Sequence, residues 1–515
     1  MMEREEQQPR MRSKKTRLRP VQAVQAAVPA APRSLWSARA ETLGRSPLGF
    51  VIASVLVVLP CFWQSRIQAG DVSSHIYNAW FAQLIANGKA THLAIAFQGT
   101  NVLGDLMLST LLAKVGATAA QRITVALAVL VFVWGAFAFV STVSGRRAWD
   151  VLPVIAILAY GWTFHMGFLN FYLSLGLCLF SLAAAWTWKP KGLALAIPLF
   201  ALAYVAHILA VAWAAVVLGY RWLALRTSHR SLPRLAAGGI AAIVALRFAL
   251  GSFTQSRWVP EQWLCMTAAD QAWIYDRKYW VILAGLLVLG SVWAFSLLRQ
   301  RGIRDVLAGV PYHLCLFTAL GVFALPTAIA LPGYKHVLAY IAERMSLALG
   351  VCYCAAFANV KAPAFARYFA PALMILFFGF LYRDDAILNR YEDRMTAAVA
   401  TLKDQRVVTG IDEPSLRIDP FTHMIDRACL GVCYSYANYE PSTGQFRVRV
   451  LAPNPSVAFT YEDSWRLQTG SYIVKPEDLP LYRLELEVDG TMAVRALAAG
   501  TPNRMTNWDL LSGQP

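Results

Sequence analysis

Residues 122–147 read RITVALAVLVFVWGAFAFVSTVSGRR. From Ile123 to Ser144 no side chain carries a charge. At about 1.5 Å of rise per residue, that is enough helix to cross a hydrocarbon layer roughly 30 Å thick. The run ends at Gly145 and then at paired arginines, Arg146 and Arg147, as expected where a span meets the cytoplasm.

The surrounding chain repeats this pattern. Apolar runs of 16 or more residues recur from Ser46 to Leu381. Hydrophobic residues make up 57% of the 515 and charged ones 15%, against about 45–50% and 25% in soluble domains. A net charge of +17 invites a nucleic-acid reading, but its distribution removes it. Lys and Arg exceed Asp and Glu by 33 to 12 in residues 1–382, mostly in the N-terminal tail and short loops, and fall behind by 14 to 18 in residues 383–515. Such an excess sets membrane topology, and no nucleic acid is expected as partner.

Residues 1–45 hold ten Lys/Arg and no apolar periodicity, and read as a disordered basic cytoplasmic tail. Pro47–Trp63 is then a signal anchor, since Ile67-Gln68-Ala69 makes a poor cleavage site. Keeping the later basic clusters (Arg146-Arg147, Lys189/Lys191, Arg221–Arg234, Arg299–Arg304, Lys361/Arg367) inside requires an odd number of spans between Trp63 and Arg146. Asn101–Gly116 carries Asn101, Asp105 and Lys114, with apolar residues grouped at Leu103, Leu106, Met107, Thr110 and Leu111. It therefore reads as a surface helix. About eleven spans result: 47–63, 122–143, 150–164, 167–187, 192–206, 208–224, 235–250, 279–298, 306–328, 342–359 and 365–382. The expected fold is an all-α polytopic membrane domain (46–382) with a long outer loop (65–121) carrying two juxtamembrane helices. The odd count puts residues 383–515 outside, as a small α+β or mostly β extracytoplasmic domain of a multi-pass protein of the cytoplasmic membrane.

That C-terminal part has strand-like segments at Phe446–Leu451, Ser456–Tyr461, Ser471–Val474 and Leu481–Val488, entered through a polar helix near Asp384–Thr401. Of eight cysteines, Cys61, Cys178, Cys315, Cys352 and Cys354 fall in apolar runs as small hydrophobes. Cys429 and Cys433 can pair if their segment is helical or tightly turned, not if it is an extended strand.

The first outer loop carries the most information. It opens Gly70-Asp71-Val72-Ser73-Ser74-His75-Ile76-Tyr77-Asn78-Ala79-Trp80. Tyr77, Trp80, Phe81, Leu84 and Ile85 form a helical stripe suited to lying on the bilayer. Asp71, His75 and Asn78 follow the same spacing on an adjoining face. An Asp after Gly at a helix start is also a routine N-cap; a cap and a rigidly held carboxylate are compatible.

These residues, in this setting, resemble the GT-C fold of polyprenyl-phosphate-sugar-dependent glycosyltransferases, and among them the bacterial branch similar to the dolichyl-phosphate mannosyltransferases. The resemblance covers residues 47–382 as architecture, while its motif rests on Gly70–Trp80. It implies about eleven spans and an acidic catalytic residue just after the first, a position Asp71 occupies. It implies a polyprenyl-phosphate sugar donor drawn from membrane lipid and a glycan, lipid or protein acceptor. Many members carry a paired acid there, whereas here Val72 follows and the next acid is Asp105. No pair of histidines at metal spacing lies in one helix, so no cofactor is assigned and a divalent metal is left open.

Other polar residues fall in the same outer layer. His75, His92, His165, His207 and His336 lie at outer loops or helix ends, with Asn170 closing a short outer hairpin at Trp162–Asn170. Lys335-His336 and Glu343-Arg344 flank the tenth span. Such groups near a bilayer are costly and suggest function, although each alone is also an ordinary interfacial residue. Arg344, then Lys335 with His336, are the candidates for the donor phosphate, because a guanidinium fork matches phosphate oxygens. Asp71 is the candidate general base. His75, Asn78, His165, Asn170 and His207 are candidates for orienting the acceptor. Trp258, Trp263 and Trp273, with Glu261, Asp270 and Asp276, suit sugar packing or an ordinary membrane interface.

Three other classes compete. A lipid-linked glycan ligase or polymerase places its Arg and His in a late outer loop. A transporter or flippase puts charges at mid-membrane, where these spans are nearly free of them. A non-catalytic scaffold would use the C-terminal domain, with Asn438–Pro441 and Gln445–Arg447 as a binding edge. No Walker A, HExxH, Gly-x-Ser-x-Gly or dinucleotide motif is present, which argues against a cytoplasmic nucleotide-using enzyme.

Overall fold

Leu169–Ala185 is apolar on nearly every face, and such a helix is stable only where neighbours surround it. It is the central post of the bundle, buried along almost its whole length. The computed structural model describes residues 46–503, apart from 331, 332, 334, 412, 414 and 488. The basic tail 1–45 lies outside the described residues. Numbering helices of eight residues or more, the chain runs α1 Pro47–Val58, α2 Val72–Ala86, β1 Leu93–Ile95, α3 Leu103–Val115, α4 Ala117–Ser144, α5 Leu152–Ala159, α6 Leu169–Ala185, α7 Pro190–Ala206, α8 Ile208–Arg226, α9 Leu232–Phe253 and β2 Gln255–Arg257. It continues α10 Trp280–Arg301, α11 Val310–Ala324, β3 Ala328–Ala330, α12 Ile341–Phe357, α13 Ala364–Val399, β4 Arg406–Thr409, α14 Phe421–Ala428, β5 Tyr434–Ser435, β6 Val448–Val450, α15 Tyr461–Thr469, β7 Leu481–Leu486 and β8 Met492–Ala496. Among the described residues, those up to Ile52 belong to one unit and those from Ala53 onward to another. The bundle core, the sheets and the cavity all belong to the second.

Five helices among the described residues are long and apolar enough to cross a membrane: α4, α8, α9, α10 and α13. Their outward faces carry large exposed hydrophobics such as Val216, Phe248, Phe295 and Ile375, a surface suited to lipid rather than water. Glycines set the closest helix contact. A Cβ on Gly135 of α4 would sit 2.4 Å from the Gly176 carbonyl oxygen of α6, so the two backbones touch where neither has a side chain. One expected span is not a continuous helix. Residues 150–164 break into a tight turn at Trp149–Val151, the eight-residue α5 and a short helix Trp162–His165. Eight residues rise only about 12 Å, and Ile155 and Ile157 are fully buried inside the bundle.

The C-terminal part is α+β rather than mostly β. A four-stranded sheet has the order β5-β4-β7-β8, parallel at β4 with β5 and β7, antiparallel at β7 with β8. The expected strand 456–461 is absent: Thr460 accepts from the Asp463 amide and caps α15 instead. Near 471–474 only an isolated bridge forms, Ile473 with Pro502. Cys429 and Cys433 are disulfide-bonded across the tight turn after α14.

Three further findings change the expected organisation. The bundle is not purely helical, since β2 pairs with β3, and β1 of the first loop pairs with β6. The aromatic stripe of α2 does not lie open for a bilayer: Phe81 is fully buried and packs with Leu93, Val448 and Val457, while Trp80 contacts Tyr434. The boundary expected at 382/383 falls inside α13, which runs unbroken for 36 residues. Its far half is bound to the first loop. Trp63 and Ser65 donate to Asp385 and Asn389, and Glu392 receives both Gln68 and a two-pronged grip from Arg427 of α14 at 2.6 Å on each oxygen.

Candidate functional site

Asp71 owes its position to two glycines. Gly70 (φ +26°) and Gly167 (φ +81°) lie back to back, where a Cβ on Gly167 would stand 2.4 Å from the Asp71 nitrogen. The crossing is sealed by the Asp71 amide donating to the Met166 carbonyl at 3.1 Å. Asp71 occupies the N-cap position of α2, but its side chain makes no capping hydrogen bond. The carboxylate instead turns into a cavity of about 520 Å³ at this end of the bundle, a size typical of small-molecule sites.

Six of the sequence-derived candidates line that cavity: Asp71, His75, Asn170, His207, His336 and Arg344. Three do not. Asn78 is buried behind the wall, exchanging amide hydrogen bonds with Asn438. His165 is buried below it, its ring against the Gly161 carbonyl, and burial keeps the imidazole neutral, near pKa 4. Lys335 is exposed and does not reach the lining, so a part for it in phosphate binding has no geometry behind it. Trp258, Trp263 and Trp273 also stand off the lining; Trp258 lies under the Arg247 guanidinium and Trp263 is mostly exposed.

Arg344, in the first turn of α12, reaches the cavity over the face of Phe168 at 3.8 Å. Among the described residues no carboxylate comes within the 4.0 Å of an ion pair with it, and its Nε is buried without a partner. Its Nη1 stands 3.3 Å from His207 Nε2. His207 Nδ1 already accepts the Leu209 amide, so the neutral ring carries its proton on Nε2. Burial first, and then Arg344, hold that imidazole neutral, near pKa 3. Two N–H groups therefore face each other with no acceptor between them. An anionic oxygen in the cavity would satisfy both.

The opposite wall is supplied by the C-terminal part, which by sequence pattern alone looks like a separate domain. His423 of α14 places Nε2 3.0 Å from Asp71 Oδ1 and Nδ1 3.1 Å from Asp426 Oδ2. Burial disfavours charge on Asp71, but His423, His75 and Arg344 outweigh it and hold the carboxyl below its ordinary range. Burial likewise opposes charge on His423, and Asp71 with Asp426 overcomes it, raising that pKa well above the usual 6.5. Beside them His75 contacts Asp105 at 2.6 Å and is pushed up to about 10 despite burial. Asn170 steadies Asp105 at 2.9 Å. Glu440, whose carboxyl burial raises to about 7, is 3.9 Å from the same imidazole.

Aromatic rings complete the lining. Trp162 and Phe168 flank Tyr340, a non-glycine residue at φ +57°; Tyr439 stacks on His336 at 5.5 Å. Arg417 passes between Trp162 and Trp273 and donates to the Asp270 and Trp273 carbonyls. Sequence reasoning missed His423, Asp426 and Arg417, although His423 and Asp426 stand three residues apart on α14, with Asp419 just before it. Tyr439, Glu440 and Phe446, from the segments expected to form a scaffold's binding edge, line this cavity too. Among the described residues no cluster of three His, Cys, Asp or Glu groups could hold a metal ion. Comparison with protein-family models, with curated proteins and with solved structures yields no match to this chain.

Proposed function

We propose that the chain transfers a sugar from a polyprenyl-phosphate donor to an acceptor hydroxyl outside the cytoplasmic membrane, on a GT-C-like bundle of eleven spans. One observation carries this reading: a carboxylate and a guanidinium with no acidic ion-pair partner among the described residues face the same aromatic-lined cavity at one end of an apolar bundle. An inverting transfer needs both. Asp71 takes the proton from the acceptor hydroxyl as its oxygen bonds to the anomeric carbon. The bond from that carbon to the phosphate oxygen breaks, and the departing lipid phosphate is stabilised by Arg344 with the His207 N–H beside it. Aromatic faces such as Tyr340 and Tyr439 suit the apolar faces of a sugar ring.

The test is transfer from labelled polyprenyl-phosphate sugars in membranes carrying the wild-type chain or Asp71→Asn. Loss of a general base should slow transfer by roughly 10²–10⁴-fold. Undiminished transfer in Asp71→Asn would remove Asp71 from that role, and no wild-type transfer from any such donor would remove the reading. It also requires the C-terminus outside, so a C-terminal tag that external protease cannot reach would contradict it.

A further inference from the structure

His423 offers both ring nitrogens to carboxylates, Nε2 to Asp71 and Nδ1 to Asp426. A neutral imidazole has one N–H and could donate to only one of them, so with both carboxylates ionised this geometry calls for the doubly protonated ring. The arrangement is anchored in depth. Ser435 of β5 donates to the other Asp426 oxygen. Arg427, on the next residue of α14, grips Glu392 of α13 and reaches the Ile67 carbonyl just before Asp71. The Cys429–Cys433 disulfide closes the turn that joins α14 to β5. With Oδ1 held by His423, the second Asp71 oxygen is left to the cavity.

We propose that His423 is a positioning residue for Asp71: a fixed cation, itself held by Asp426 and Ser435, that orients the carboxylate and keeps it ionised until the acceptor proton arrives. This rests on the transfer reading for its catalytic consequence, whereas the charge state of His423 follows from its place between two carboxylates and is tested separately. When Asp71 gains the acceptor proton, the ion pair with His423 is lost, which favours its release to cavity water before the next turnover. Groups that bear on this pair are His75, Arg344, His336 and Tyr439, all facing Asp71 or the His423 ring.

Two measurements on the full chain in nanodiscs decide it. In ¹⁵N-histidine spectra, with His423 assigned through His423→Gln, both nitrogens should remain protonated from pH 6 to 9, and Asp426→Asn or Asp71→Asn should shift deprotonation into that window. A neutral ring at pH 7.5 in the wild type would overturn the proposal whether or not transfer is detected. In transfer kinetics, His423→Gln should lower kcat by about tenfold or more with KM within about threefold. It should also move the acid limb of the pH profile upward by roughly 1–2 units, as Asp71 loses an adjacent opposite charge. Asp426→Asn leaves His423 protonated at the pH of that limb and removes a negative charge nearby, so it should leave the limb in place or move it slightly downward. A limb unmoved in His423→Gln, with transfer otherwise intact, would reduce His423 to packing. Absence of wild-type transfer would fail the activity reading and leave the spectra to decide the pair.

Discussion

Replacing Arg344 with Met keeps most of the side-chain volume over Phe168 and removes the charge. A bound phosphate would lose two charge-assisted hydrogen bonds of about 1.5–3 kcal/mol each. The sum, about 3–6 kcal/mol, weakens binding by roughly 10²–10⁴-fold. Stability should behave differently. The half-buried native guanidinium has a buried Nε without an acceptor and no ion pair among the described residues, and partly desolvating a charge without an ion-pair partner costs stability. The contact with Phe168 returns about 0.5–2 kcal/mol of that. The unliganded Arg344→Met chain should therefore unfold at the wild-type Tm or above it. The assay pairs titration of a short-chain polyprenyl phosphate with thermal unfolding in the same detergent. Arg344→Lys, which keeps the charge but not the fork, should fall between. Affinity within threefold of wild type in Arg344→Met would refute an anion site here. A Tm lowered by more than about 5 °C would show that the guanidinium holds the fold together.

The same site yields two further expected outcomes. Gly167→Ala puts a Cβ 2.4 Å from the Asp71 nitrogen at φ +81°, which should cost about 2–5 kcal/mol from left-handed strain and overpacking together. Gly145→Ala, at φ +69° in open space, should cost only about 1–2 kcal/mol, and equal drops in Tm would contradict the close crossing. His75 is raised from 6.5 to about 10, so its stabilising contribution is complete below pH 6.5 and is lost as pH rises through 10. The Tm difference between wild type and His75→Gln should therefore shrink steadily from pH 7 to pH 10; a constant difference would remove the ion pair with Asp105 as its cause.

The apolar helices and the head of the first loop were legible because they depend on local pattern. Gly70-Asp71 opening a helix is a short-range signal, and basic loops sort helix ends into two layers. That sorting alone is enough to bring Asp71, His207, His336 and Arg344 into one neighbourhood. What failed was of longer range. Periodicity shows that Tyr77, Trp80 and Phe81 share a face but not what covers it, and the cover comes from residues more than 350 positions later. Hydropathy cannot tell a continuous helix from the broken path at 149–165, where Gly161 ends α5 against the backbone of Gln271. The strand expected at 456–461 ignored a signal that was present: Thr460 followed by Asp463 three residues on, a helix start. His423 was overlooked because it lies in the C-terminal part, expected to stand apart from the first loop that carries Asp71.

Helix α13 gives this architecture a mechanical property. From Pro371, where the proline interrupts its hydrogen bonding, to Glu392 it is a rigid rod about 30 Å long. Its first half is among the segments apolar enough for lipid, and its last turns hold Arg427 and through it the helix that bears His423. Tilting by about 5° around the proline would swing Glu392 by about 3 Å, as far as the whole span of the His423–Asp71 contact. Membrane helices meet a thinner or thicker bilayer by tilting. On the proposed transfer reading, the geometry at Asp71 is thereby geared to the surrounding lipid, and a change of acyl-chain length would reach the carboxylate as a displacement rather than as chemistry.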